Sequence, residues 1–176
     1  AIYSRSAWLP AGVIYASALG ISLVGLRVTP ELGFEALLFV LVVVWATDSG
    51  AFFAGRTIGG PKLAPRISPK KTWAGAIGGL VSALVAAIVV GLLMRLTIGP
   101  ELILVASCLS IAGQLGDLFE SAIKRHFGAK DSGHIIPGHG GVMDRVDALT
   151  FAATVALIIG AVHGSLGNLG RGLLVW

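Results

Sequence analysis

An all-α, polytopic membrane protein of about five transmembrane helices with two long cytoplasmic loops is the fold class this chain predicts, and three observations predict it. Hydrophobic residues make up 55% of its 176 residues and the mean hydropathy is +0.88. Only 22 residues are Asp, Glu, Lys or Arg, too little polar surface to cover a water-soluble globule. Long stretches carry no charge, each reaching the roughly 20 residues a spanning helix needs. These runs are continuously apolar instead of alternating, which speaks against a transmembrane barrel and leaves helices to satisfy the backbone in lipid.

The first uncharged stretch is residues 6–26. Arg5 before it and Ala16-Ser17-Ala18 within it would also suit a signal peptide, but the run is too long for the apolar region of one. The second span, 36–55, contains only Asp48 as a charge. The third runs over 72–94. The fourth, 102–116, continues into the charged residues 117–125, and the fifth covers 148–170. Pro30 and Pro100 punctuate the short turns on one side. Gly75-x-x-x-Gly79 and Gly160-x-x-x-Gly164 are read as packing contacts that let helices approach closely. The lone Cys108 can form no intrachain disulfide and reads as a small core residue. No repeat breaks the chain, so residues 1–176 are expected to form a single transmembrane domain.

If the helices cross in turn, Arg5 and the loops at 56–72 and 124–146 share one side with ten of the 13 Lys and Arg. The positive-inside rule then puts both long loops and the N-terminus in the cytoplasm and the C-terminus outside. The formal net charge of +4 belongs to these topology signals and to lipid headgroups. Nucleic acid is not an expected partner, because no soluble domain presents a basic surface.

Acidic residues lie where lipid should forbid them. Asp117, Glu120, Ser121 and Lys124 fall at i, i+3, i+4 and i+7, one stripe near the cytoplasmic end of the fourth helix. Asp144 and Asp147 repeat the pattern at the start of the fifth, and Asp48 sits at the cytoplasmic end of the second. Any one of these could pair with a neighbouring base or favour a helix N-terminus. Several carboxylates converging at one depth repel each other unless a cation sits among them, and magnesium, which needs few carboxylates and favours substrate phosphates, suits them best. Zinc does not, for want of a Cys pair or H-E-x-x-H.

The loop GRTIGGPKLAPRISPKKTWAG carries Arg56, Lys62, Arg66, Lys70 and Lys71. It is turn-rich and leads straight into the third helix, whose N-terminus favours anions. Gly138, Gly140 and Gly141 around His139 could let backbone N–H groups reach a phosphate before the fifth helix. Residues 55–62 miss the Walker A pattern, with Pro61 intruding and Leu63 where Ser or Thr belongs. Acids beside Lys and Arg are the usual equipment for moving phosphoryl or nucleotidyl groups.

Residues 121–147, SAIKRHFGAKDSGHIIPGHGGVMDRVD, hold four Lys or Arg, three Asp and three His. Residue for residue they resemble the signature of the phosphatidate cytidylyltransferases: S-x-x-K-R, K-D, P-x-H-G-G and D-R-x-D. WATDSGAFFAGR at 45–56 and ISPKKT at 67–72 look like that family's motifs in the same order. Ala74 departs from it, since family members often carry Glu there. Full-length members have additional N-terminal helices, so the chain reads as a fragment of one.

The resemblance implies an enzyme making CDP-diacylglycerol and pyrophosphate from CTP and phosphatidate. Magnesium, with a second cation left open, is the implied cofactor, a homodimer the implied assembly, and a bacterial inner (cytoplasmic) membrane the implied location, with the active site facing the cytoplasm. On that reading Asp117 and Asp144, with Asp147 and then Asp48 as further candidates, hold the metal. Lys124, Arg125, Lys130 and Arg145 neutralise pyrophosphate charge. Lys70, Lys71 and Arg56 hold lipid or nucleotide phosphates, Gly140 and Gly141 contact a phosphate, and His139 either donates to a phosphate oxygen or has a structural role at the entry to the fifth helix. The alternatives are a CTP-dependent polyprenol or phytol kinase and, from another class, a cation-coupled transporter.

Overall fold

A computed structural model describes residues 2–128 and 143–176, without the side chains of 2–7, 144 and 145. Its elements run α1 (Ile2–Arg27), α2 (Gly33–Thr57), β1 (Lys62–Ala64), β2 (Ser68–Thr72), α3 (Trp73–Leu93), α4 (Pro100–His126), α5 (Met143–His163) and α6 (Leu169–Leu174). Among the described residues five of the helices are long and apolar enough to cross a membrane, and the chain is an all-α polytopic membrane protein with one small hairpin among those residues. Large apolar side chains such as Leu9, Phe53, Leu93 and Val162 stand exposed on the outer faces, where lipid replaces water as the solvent.

The helices alternate in direction. Trp8, near the start of α1, packs on His126 and Phe127 at the end of α4. At the opposite end, Arg171 of α6 pairs with Glu31 of the α1–α2 turn at 2.9 Å. The core lies between the spans, built from Phe39, Val40 and Val43 of α2, Val105 and Leu109 of α4, and Ala152 and Ala156 of α5.

Small residues set the closest approaches. α2 and α3 form the most extensive pair. A Cβ at Gly75 would stand 2.9 Å from the Ala51 carbonyl oxygen, and one at Gly79 2.9 Å from that of Thr47, so the expected packing role of this motif holds. Gly160 and Gly164 serve α6 in the same way, lying against Leu169 and Gly172.

The structure corrects the fifth span. Continuous apolarity suggests a helix to Gly170, but α5 ends at His163 and α6 folds back against it. Gly164, Gly167 and Asn168 interrupt the helix, and Asn168 donates its backbone N–H to the Ser165 carbonyl at 2.9 Å. The turn-rich loop after α2 resolves into an antiparallel hairpin, Lys62 opposite Thr72 and Ala64 opposite Ser68, with a register shift between Lys62 and Ala64. Gly59 and Gly60, at φ +67° and +92°, make the turn into it in a region that suits glycine. Trp73 closes the hairpin by donating its N–H to the Pro61 carbonyl at 3.1 Å.

Candidate functional site

The loop-rich end of the bundle holds a polar cavity of about 590 Å³. Asp48, Gly55 and Arg56 reach it from α2, Lys70 and Lys71 from β2, Gln114, Asp117 and Lys124 from α4, and Asp147 from α5. Three acids from three spans thus share one space with four bases. Asp48 stands nine residues before the end of α2 and Asp117 nine before the end of α4, each about 13 Å inside its helix end at 1.5 Å per residue.

Backbone proximity creates this meeting. A Cβ at Gly116 would lie 2.8 Å from the Asp147 carbonyl oxygen and 2.9 Å from the Phe151 Cβ, so glycine lets α5 slide against α4 beside Asp117. Asp147 is buried, and its Oδ1 accepts the Ala148 N–H at 2.8 Å. On the other wall Thr72 caps α3, its Oγ1 accepting the Gly75 N–H at 3.1 Å. That cap continues the strand into the helix and places Lys71 opposite α4.

The electrostatics are balanced within the cavity. Lys71 forms an ion pair with Asp117, whose Oδ1 also accepts the Ser121 hydroxyl at 3.5 Å. Lys124 pairs with Glu120, one turn back on its own helix, at 2.6 Å. Asp48 feels the charges of Asp117, Asp147 and Lys71. Among the described residues no group of three or more His, Cys, Asp or Glu could by itself hold a metal ion. The donor chemistry nonetheless fits magnesium: hard carboxylate oxygens in a polar cavity, with one or two carboxylates plus substrate phosphates being enough for that ion.

Asp48, Asp117, Asp147, Lys70, Lys71, Arg56 and Lys124 therefore come together as the sequence suggests. Arg125 does not line the cavity; it is exposed and its Nε donates to the Ile67 carbonyl at 3.4 Å, holding the hairpin. Lys130, His139, Gly140 and Gly141 lie outside the described residues. Asp144 and Arg145 occupy the first turn of α5, their side chains likewise outside the description. Ala74 faces away, into a groove on the other side of α2 and α3.

Two residues escape sequence reading. Gln114 donates through Nε2 to the Ala76 carbonyl at 3.2 Å and to the Ser110 hydroxyl at 3.4 Å, tying α4 to α3 in the cavity wall. Its signal was available, because it precedes Asp117 by three residues on the same polar stripe. Tyr15 of α1 reaches across to donate to the Asp147 carbonyl at 3.4 Å, which no local pattern reveals.

Comparison with known proteins gives this arrangement a lineage. Residues 3–163 match the model of the cytidylyltransferase family. A phosphatidate cytidylyltransferase of Brucella suis biovar 1 is 49% identical over 159 residues, 90% of this chain and 59% of that protein. The protein of the same name from Staphylococcus saprophyticus is 45% identical over 142 residues, 80% of this chain and 55% of its own. That from Bacillus subtilis is 43% identical over 127 residues, 72% of this chain and 47% of its own. The chain thus spans roughly half to six tenths of the length of these curated relatives, and residues 3–163, which match the family model, take in every described residue that lines the polar cavity: the chain belongs to the cytidylyltransferase family.

Proposed function

We propose that this chain carries the catalytic membrane portion of a phosphatidate cytidylyltransferase, acting at the cytoplasmic face of a bacterial inner membrane. CTP and phosphatidate would yield CDP-diacylglycerol and pyrophosphate. One observation carries the reading: carboxylates from three spans and four cations line a single cavity at the end of the bundle where the basic loops lie. A soluble nucleotide and an embedded lipid can meet only at such an interface.

The chemistry asks little of a general base. A phosphomonoester has a second pKa of about 6 and is largely dianionic at neutral pH. Its oxygen attacks the α-phosphorus, the bond to the bridging oxygen breaks, and pyrophosphate leaves with the electron pair. Repulsion between two anions is the barrier, so positioning and charge neutralisation dominate. Arg56, Lys70, Lys71 and Lys124 supply positive charge around the reacting phosphates. Asp117 and Asp147, with Asp48 and Asp144, are the residues that would hold magnesium, which when bound would offset triphosphate charge and improve the leaving group. Lys71, paired with Asp117, can turn its ammonium to a phosphate oxygen once the carboxylate has another cation.

Labelled CTP incubated with phosphatidate and the purified chain tests the reading. Label from the cytosine base should enter the lipid fraction. Transfer of label only from the γ-phosphate would make the protein a lipid kinase and sink the proposal. Chelation with EDTA should abolish transfer and added Mg²⁺ restore it; an unchanged rate would remove the metal from the account.

A further inference from the structure

The polar cavity has an apolar neighbour. A groove of about 630 Å³ lies between α1, α4 and α5, walled by Trp8, Tyr15, Phe119, Phe127 and Phe151. Its volume falls in the roughly 300–1,000 Å³ range of ligand sites. Among the described residues Glu120 and Lys124 are its only charged lining residues, and Lys124 lines the polar cavity as well. The wall between the two spaces is shared: Tyr15 faces the groove while its hydroxyl donates to the carbonyl of Asp147, which lines the cavity. We propose that this groove seats an acyl chain of the anionic lipid substrate, with the glycerol-phosphate end passing Lys124 into the polar cavity. The inference rests on the lipid-nucleotidyl reading of that cavity.

The competing groove, about 810 Å³ between α2 and α3, has no charged lining residue among the described residues and shares none of them with the polar cavity. A chain lying there would leave its phosphate remote from Asp117 and Lys71. The aromatic groove instead begins where the cations end, which matches the polarity of a single amphiphile.

Energetics say what such a groove does. A chain leaving the bilayer for an apolar groove gains little from the hydrophobic effect, since lipid tails are as apolar as the protein side chains. The gain is in placement, holding the phosphate in line with the nucleotide so that the step behaves as an intramolecular one. Blocking the groove should therefore weaken use of the lipid while leaving the nucleotide untouched.

Gly12 offers a clean obstruction. It lines the groove, and a Cβ built there meets no atom within 4 Å, so Gly12→Phe fills space without displacing backbone. Gly20 on the same helix is equally open and lies outside the groove, so Gly20→Phe is the matched control. We expect Gly12→Phe to raise KM for long-chain phosphatidate by about tenfold or more with KM for CTP unchanged, the signature of a lost ground-state contact to one substrate, and Gly20→Phe to change neither. An unchanged lipid KM, or an equal effect of both variants, would overturn the groove. Independently, phosphatidate carrying a mid-chain diazirine should label peptides of α1, α4 and α5 on photolysis; labelling confined to the Phe53, Ile77 and Val81 side of α2 and α3 would refute it. Wild-type cytidylyl transfer is measured in the same preparation. Transfer with labels elsewhere defeats the groove alone, whereas no transfer at all defeats the functional reading and the groove with it.

Discussion

Asp117 carries the tension of the site. A carboxylate within a spanning helix costs about 2.5 kcal/mol or more unless something compensates it, and here the compensation is Lys71, brought in from β2. Asp117→Asn should therefore leave a folded, membrane-inserted protein that has lost at least about 100-fold in transfer rate, read as kcat on detergent-purified protein. Asp144→Asn is expected to abolish turnover with insertion intact; wild-type rates in that variant would contradict the metal role proposed for it. Asp48, Asp117, Asp147 and Lys124 were legible because a charge in an apolar run needs a reason to be there. Tyr15 was not, since a tyrosine among aliphatic residues is ordinary until the fold sets it against a backbone carbonyl 132 residues away.

Among the elements, the crossing of α4 and α5 decides the geometry. Gly116 leaves no room for a methyl group, with the Asp147 carbonyl oxygen 2.8 Å from where its Cβ would be. Gly116→Ala should push α5 away and separate Asp117 from Asp147, lowering kcat by about tenfold to 100-fold at a modest loss of stability; equal kcat in the variant would show that this contact does not set the site. The hairpin-to-helix junction depends on one hydroxyl, and Thr72→Ala should cost about 1 kcal/mol of stability, measurable as a lower Tm in detergent. At the opposite end the hydrogen bond from Arg171, helped by Asn168, holds the Glu31 carboxyl below its usual range. Its stabilising contribution is thus present above the ordinary carboxylate value of 4.5 and fades as pH falls through the lowered folded value. The pair is exposed and its effect small, so Glu31→Gln should flatten the acid limb of the Tm-against-pH profile and leave neutral pH nearly unaffected. Helix existence was readable from apolar runs, whereas the break at Gly164 was not, because hydropathy continues through it.

For the whole molecule, among the described side chains Arg56, Lys62, Arg66, Lys70, Lys71, Lys124 and Arg125 lie at the end of the bundle that holds the polar cavity, and Arg27, Arg95 and Arg171 at the other. In inside-out vesicles, with Cys108 replaced, a cysteine at Arg66 should react with a membrane-impermeant maleimide and one at Thr97 should not. The reverse pattern would turn the proposed orientation over. The charges concentrate at one end of the spans, which suits chemistry at an interface.

Composition and the length of the apolar runs determined by themselves that the chain enters a bilayer as helices, because unpaired backbone in lipid leaves no other choice. The motifs in 45–56, 67–72 and 121–147 likewise carried the resemblance to the cytidylyltransferase family, and charges kept in so apolar a chain stand out. Only the tertiary structure decided which charges face each other. It paired Lys71 with Asp117, gave Glu120 to Lys124 at the edge of the apolar groove, and turned Arg125 to the hairpin. Those choices follow from where helices cross, and crossings are set by glycines whose close contacts lie far apart along the chain.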